Sequence, residues 1–521
     1  MAMKTSWGRA VWAVAGLLLC TGLLLPVSAD TQLVESWAWT YGGAMCDLGA
    51  SVRETADGGF IVAGSTNSFG RGDFDVYLLR IGPTGMLLWE QNLGTRADEF
   101  GADVRETGDG GFIVTGWSWS PASSTDVYLV RTDDAGRKLW ERSYGGTGSD
   151  YGHAVLPLDD GGYAIAGSTG SFGPSVDMYL VRTGEDGRRL WEKTYGGAGD
   201  DAGFSLLSAD NGDFVIAGTT GSFGPSSDVF LVRTGSNGTV LWEQHFGGPG
   251  IQEGRAVARA GDGGFVIAGG TDPLLSGHWD AYVVRTDSHG RLQWERAIGG
   301  GGSEYGAAVA MTGDDGFYLA GRTSSVGPST DISLVRGSSL GTPLWERTFG
   351  GARYDSASSI QGTSDGGVVI AGTTDSFGRG DDVYLIRLAP LSGTLVVTST
   401  PPGASLFIDG VARGVTPVSL GNVSQGRHTI LLRYPGFEEY RAVTLVESGA
   451  SPAVVDAMLV TVTETLPVPE TLPVTVTPTP TPVPVAGNLF PAFLRVGYRE
   501  GGTGSLVPFR LPDLAHLLSF F

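Results

Sequence analysis

The sequence predicts an all-β chain: a seven-bladed β-propeller followed by a small C-terminal β-sandwich-like module. Three recurring marks predict the propeller. The aromatic or apolar residue of a DGGFIVAG-like phrase falls at Phe60, Phe112, Tyr163, Phe214, Phe265, Phe317 and Val368, every 51 or 52 residues. A tryptophan recurs at Trp37, Trp89, Trp140, Trp191, Trp242, Trp294 and Trp345. An Asp-to-Arg segment, DVYLVR at Asp126–Arg131, returns at Asp75, Asp177, Asp228, Asp280, Asp331 and Asp382, ending on Arg80, Arg182, Arg233, Arg285, Arg336 and Arg387. Three separate marks that each count seven indicate a repeat architecture.

Each period reads as four short strands. In the third they run over about residues 151–158, 162–169, 177–183 and 189–195, separated by the turn signals DDGG, SFGP and GEDG. The strands are rich in Val, Ile, Leu, Tyr and Trp, as suits a sheet covered on both faces. No extended 3.6-residue period is present, which argues against a helical solenoid. The last unit ends at DVYLIRLAP (382–390) without its Trp strand, while WAWTYGG (37–43) is a Trp strand with no unit before it. One blade shared between the two ends closes a ring over residues 30–390 and removes exposed sheet edges.

At the start, Lys4 and Arg9 precede an apolar stretch and the small residues Val27-Ser28-Ala29. This pattern predicts a secretory signal peptide over residues 1–29. Its removal leaves Cys46 as the single cysteine, so no internal disulfide is expected. Residues 462–486, mostly Pro, Thr and Val, read as an extended spacer before a tail, 487–521, of unassigned structure.

The segment RTDDAGRKLWE (131–141) resembles the repeat of quinoprotein-type propellers, in which an Asp-x-x-x-Gly turn precedes an outer-strand tryptophan. An indole of that size can wedge between blades where glycine permits close approach. Residues 391–461 resemble the PEGA domain. They carry Pro401-Pro402-Gly403-Ala404, with Pro402 where that family has Glu, then Asp409-Gly410, Thr416-Pro417, Gly426, His428 and Gly436-Phe437. The resemblance implies a cell-surface or envelope setting with no enzymatic activity attached to the module.

With 55 acidic against 34 basic residues and a formal charge of −21, the chain is not expected to bind nucleic acid. Its six histidines lack metal-ligand spacing and there is no G-x-S-x-G elbow, so neither a metal nor a cofactor is expected. The sevenfold Asp and Arg read as a structural bond made once per blade, because a reaction needs one asymmetric constellation. Ligand candidates come from two sources. Phe69, Phe172, Phe223 and Phe377 lie on Gly-rich loops predicted to share a face with the YGG loops; each either presents its ring to a ligand or plugs its own blade. Departures from the repeat add Trp117 and Trp119 in GWSWS, and His278 and Trp279 in TDPLLSGHWD.

The function expected is a secreted or cell-surface, non-enzymatic and monomeric binding protein. Its partner would be an envelope glycan or a surface protein, and the mature chain would have no transmembrane helix. The alternative is a propeller enzyme, quinoprotein-like or glycan-active, which would need two or three carboxylates converging in the central channel.

Overall fold

The computed structural model describes residues 33–70, 73–119, 124–378, 380–448 and 451–462. The signal peptide expected at 1–29, the tail at 487–521 and the spacer beyond Val462 lie outside them. Among the described residues, seven four-stranded antiparallel sheets precede residue 391. Blade 3 is typical, with strands Asp150–Pro157, Tyr163–Thr169, Asp177–Thr183 and Arg189–Tyr195 in sequential order. Its second and third strands are buried almost throughout, which is why they read as unbroken apolar runs. The first strand alternates and the fourth is largely exposed.

The first strand of each sheet lies against the first strand of the next, and Asp355–Gly362 of blade 7 lies against Asp47–Glu54 of blade 1. The seam forms as the orphan Trp strand requires. Leu33–Tyr41 pairs antiparallel with Asp382–Pro390, Trp37 opposite Arg387 and Tyr41 opposite Val383. A ring of sheets closed by its own two ends is a β-propeller, with the seven first strands around its axis.

Each marker of the repeat corresponds to a contact. Trp89 packs edge-on against Phe112 of the next blade, 5.9 Å between ring centroids, and Trp37, Trp140 and Trp191 repeat the arrangement on Phe60, Tyr163 and Phe214. The Asp-x-x-x-Gly turn of the next blade receives the same indole. Gly136 has φ +75°, and a Cβ there would stand 2.6 Å from the Trp89 ring.

In most blades an acid at the start of the first strand ties two loops together, and in blade 5 Gln252 takes its place. Asp47 accepts hydrogen bonds from the Gly43 amide of the YGG loop at 2.6 Å and from Ser68 Oγ at 2.7 Å. Asp201 and Asp355 repeat this with Gly197 and Ser222, and with Gly351 and Ser376. The YGG and SFG loops therefore do share one face of the ring.

The arginine bond is structural, but its partner is not the aspartate opening the same strand. Asp75 and Arg80 stand five residues apart, about 16 Å along a strand. Arg80 reaches instead to Asp57 of the DGG turn, at 2.5 Å, and donates to the carbonyls of Phe60 and Ile81 at 3.0 and 2.9 Å. Arg131, Arg182, Arg285, Arg336 and Arg387 make the same bond to Asp109, Asp160, Asp262, Asp314 and Asp365, and Arg233 to Asp213.

Except for Asp228, which meets Gln252, the aspartates that open the third strands face the next blade's first-strand acid. Burial, then the charges of Asp47 and Asp381, push the Asp382 carboxyl up to about 6. Asp126, Asp177, Asp280 and Asp331 are shifted upward too, by burial and then by Asp150, Asp201, Glu304 and Asp355. In contrast, the Thr55 hydroxyl, the Gly59 amide and Arg80 hold Asp57 down at about 2, against burial. A raised carboxyl binds its proton more tightly when folded, so its stabilisation is complete below pH ~4 and is lost as pH rises through about 6. The Asp57 contribution is present above pH ~4 and is lost as pH falls toward 2. Thermal midpoints are thus expected to fall between pH 5 and 7.5. Asp382→Asn should flatten that fall and raise the pH 7.5 midpoint; a lowered midpoint would contradict the assignment.

The C-terminal module consists of two sheets. Ser392–Thr400 lies between Val418–Ser424 and the parallel Ala453–Met458, and a second sheet holds Val411–Val415, Ser405–Ile408, Gly426–Arg433 and Tyr440–Val446 in that order. Leu395, Val397, Leu406, Ile430, Leu432 and Val446 form its core. Asp409-Gly410 turns with φ +50° and +82°, the mirror-image hairpin turn that this dipeptide favours. The Asp409 carboxylate also meets His428 Nδ1 at 2.6 Å.

Candidate binding site at the mouth of the channel

All seven first strands share one irregularity. Their pairing with the second strand slips around the fourth residue, as between Gly152 and Ala154 in blade 3. A bulge of this kind re-aims a side chain. The bulged residues Ala50, Ala102, His153, Phe204, Arg255, Ala307 and Ser358 all line the axial channel. The fold fixes their direction and leaves their identity free, so the channel differs from blade to blade.

Toward the YGG and SFG loops the channel widens into a cavity of about 840 Å³, within the range of roughly 300–1,000 Å³ usual for small-ligand sites. One wall is aromatic and cationic. Phe100 stacks on Trp117 at 5.4 Å, and Trp117 meets His153 edge-on at 5.9 Å. His153 lies 4.8 Å from Phe204, whose face carries the Arg255 guanidinium at 4.1 Å. Arg255 donates through Nε to the Tyr305 hydroxyl at 2.6 Å and through Nη2 to Glu253 at 2.8 Å; the Tyr305 hydroxyl in turn donates to Glu253. Trp279 packs edge-on against Tyr305 at 5.7 Å, and Arg322 lies over the Tyr305 ring at 4.9 Å. The opposite wall, from blades 7 and 1, is small: Gly49, Ala50, Ser356, Ala357, Ser358 and Thr373.

Electrostatics sharpen the picture. Burial, then the Arg255 charge, pull His153 down to about 4, so it is a neutral ring at physiological pH. A second cavity of about 360 Å³ continues the channel past the bulged residues. There Asp103 lies 3.1 Å from Arg53 and 3.3 Å from Arg105, and accepts from Ser51 Oγ at 2.7 Å. Despite burial these arginines hold the Asp103 carboxyl below the usual range.

Two of the residues singled out from sequence, Trp117 and Trp279, both line the larger cavity at the mouth. Trp119 is exposed at the end of Phe112–Trp119 and does not line it, and exposed His278 lines a separate groove with Asp272, Leu274 and Asp280. The loop phenylalanines lie elsewhere. Phe69, Phe172 and Phe377 rest on Tyr77, Tyr179 and Tyr384 of their own blades and Phe223 on Phe230, each still 39–52% exposed. Sequence reasoning missed Phe100, His153, Phe204, Arg255, Tyr305 and Arg322. For all but Arg322, which lies on a second strand, the signal was present, because aligned repeats differ most at the two residues flanking the first-strand glycine.

Comparison with known proteins adds the following. Residues 392–454 match the PEGA domain model. The chain is 27% identical over 235 residues to regulatory protein FlaEY of Caulobacter vibrioides, covering 38% of this chain and 24% of FlaEY. It therefore spans about a quarter of that relative. Among solved structures, puromycin hydrolase shares 14% identity with a TM-score of 0.42, over 79% of this chain and 60% of that one. A Dyadobacter fermentans protein of unknown function shares 12% with a TM-score of 0.40, over 69% and 99%. With the ring of sheets giving one part and the family match the other, the chain is a β-propeller joined to a PEGA domain.

Proposed function

We propose that this is a non-enzymatic protein of the cell surface or envelope that binds a glycan of that envelope in the channel mouth. The observation that carries the reading is the continuous wall of Phe100, Trp117, His153, Phe204, Tyr305 and Trp279 facing an open space bounded by small residues. Aromatic faces bind the apolar faces of sugar rings, while Arg, Glu, Ser and Thr at their edges can bond hydroxyl groups. The PEGA domain supports the surface setting. For an enzyme, carboxylates would have to converge. Among the described lining residues, Asp103 and Glu253 stand on blades 2 and 5, each bound to arginine.

The test is retention of the purified chain on envelope polysaccharide fractions and a glycan panel. Trp117→Ala combined with Trp279→Ala should weaken binding at least ~10-fold, as expected when central aromatic anchors are removed. Unchanged retention, retention by a surface protein alone, or release of cleaved sugar would contradict the proposal.

A further inference from the structure

The two cavities of the channel reverse the charge of the molecule around them. The chain carries a formal −21, yet among the described residues the lining side chains include Arg53, Arg105, Arg255, Arg259 and Arg322 against only Asp103 and Glu253. Most of these arginines are engaged. Arg53 and Arg105 share Asp103, Arg259 binds Asp210, and Arg255 binds Glu253. Arg322 differs: it is exposed, and the contact described for it is the face of Tyr305, not a carboxylate.

The place of Arg322 in the repeat shows that packing does not call for it. The residue after the second-strand Ala-Gly, or Thr-Gly in blade 2, is Ser65, Trp117, Ser168, Thr219, Gly270, Arg322 and Thr373 in successive blades. At this position the Ser65 hydroxyl accepts a hydrogen bond from the Gly101 amide of the next blade, and Thr373 accepts one from Gly49. Trp117 and Arg322 give up that bond between blades, having no hydroxyl to make it, and both line the mouth. Gly270 makes room beside them: a Cβ there would stand 2.5 Å from the Tyr305 ring and 2.8 Å from that of Trp279. Three departures at one register thus build the site: an aromatic platform, a cation and a glycine that admits the rings of Tyr305 and Trp279.

We propose that the ligand is an acidic glycan whose sugar carboxylate, as in a uronic acid residue, is bound by the guanidinium of Arg322 while its ring lies against Tyr305 and Trp117. This rests on the glycan reading above and specifies its chemical class. Glu253 neutralises and orients Arg255, which leaves Arg322 as the surplus positive charge at the mouth. A planar guanidinium can grip a carboxylate through two parallel hydrogen bonds. The channel arginines add a field that draws anions in against the negative surface.

The experiment compares two probes by titration calorimetry with the full chain: a uronic-acid tetrasaccharide and the same tetrasaccharide with its carboxylates reduced to alcohols. The acid should bind at least ~10-fold more tightly, with a preference that shrinks as salt is raised. Arg322→Gln should abolish the preference, weakening the acid at least ~10-fold and the reduced sugar far less. Arg322→Lys should recover the salt-dependent part, and an unaltered melting temperature should show that both variants fold. Equal binding of the two probes, or an acid preference that survives Arg322→Gln, overturns the carboxylate assignment and leaves the glycan reading standing. Binding of neither probe by a folded chain that captures an envelope protein overturns both.

Discussion

A chain starting at residue 42 is expected to lose cooperative folding of its propeller. Strand Leu33–Tyr41 supplies the fourth strand of blade 7, so its loss bares the length of Asp382–Pro390 as an unpaired edge. It also removes the wedge between blades 7 and 1. Trp37 packs edge-on against Phe60 at 5.8 Å and donates through Nε1 to the Pro83 carbonyl at 3.1 Å, and the Tyr41 hydroxyl donates to the Gly85 carbonyl at 2.6 Å. On the blade 6 side, Arg347 donates to the Leu33 carbonyl at 2.6 Å. Trp37→Ala keeps the strand and isolates the wedge; it should cost about 3 kcal/mol, at the lower end for a large core side chain because the indole is only half-buried. Circular dichroism melts and limited proteolysis read both changes. Adding a peptide of residues 33–41 to the truncated chain should restore protection by strand addition. A truncated chain that melts like the full one would contradict closure at this seam.

Arg80→Met is expected to be nearly as damaging, at about 3 kcal/mol, because the guanidinium is buried and makes several bonds at once. Its loss leaves the Phe60 and Ile81 carbonyls without their arginine donor and Asp57 without its counter-charge. Asp57→Asn should cost less. That side chain is 66% exposed, and its amide oxygen can still accept from Thr55 and Gly59. The same pair of substitutions in blade 3, at Arg182 and Asp160, should reproduce the order because the bond recurs there. Denaturant unfolding of the four variants tests this. Equal losses for arginine and aspartate within a blade would mean that ion pairing, and not the carbonyl bonds, dominates.

These contacts explain why so much of the fold was legible. Tryptophan, YGG, SFG, DGG and the Asp-to-Arg segment are each one half of a contact made in most blades, so the sequence repeats because the contact does. What spacing could not supply was the partner. Asp75 and Arg80 bracket one strand and invite pairing, yet the strand's length separates them and sends the arginine to Asp57. The site was less legible for a related reason. Trp117 and Trp279 stood out against an otherwise regular repeat, whereas His153 and Arg255 sit in first strands whose regular glycine, just before them, masks the changing residue that follows it. Only the bulge after the glycine turns that residue into the channel, and a bulge leaves no mark in residue type. The loop phenylalanines show the converse. Their regularity reflects a ring packed on each blade's own third strand, and they still keep part of their surface exposed.

The measurement that bears most directly on the channel mouth as the ligand site is a crystal structure with a uronic-acid tetrasaccharide bound. Sugar rings should lie against Trp117, Tyr305 and Trp279, with a carboxylate on Arg322. Sugar bound at Phe69, Phe172, Phe223 or Phe377, with the channel mouth unchanged, would contradict the account.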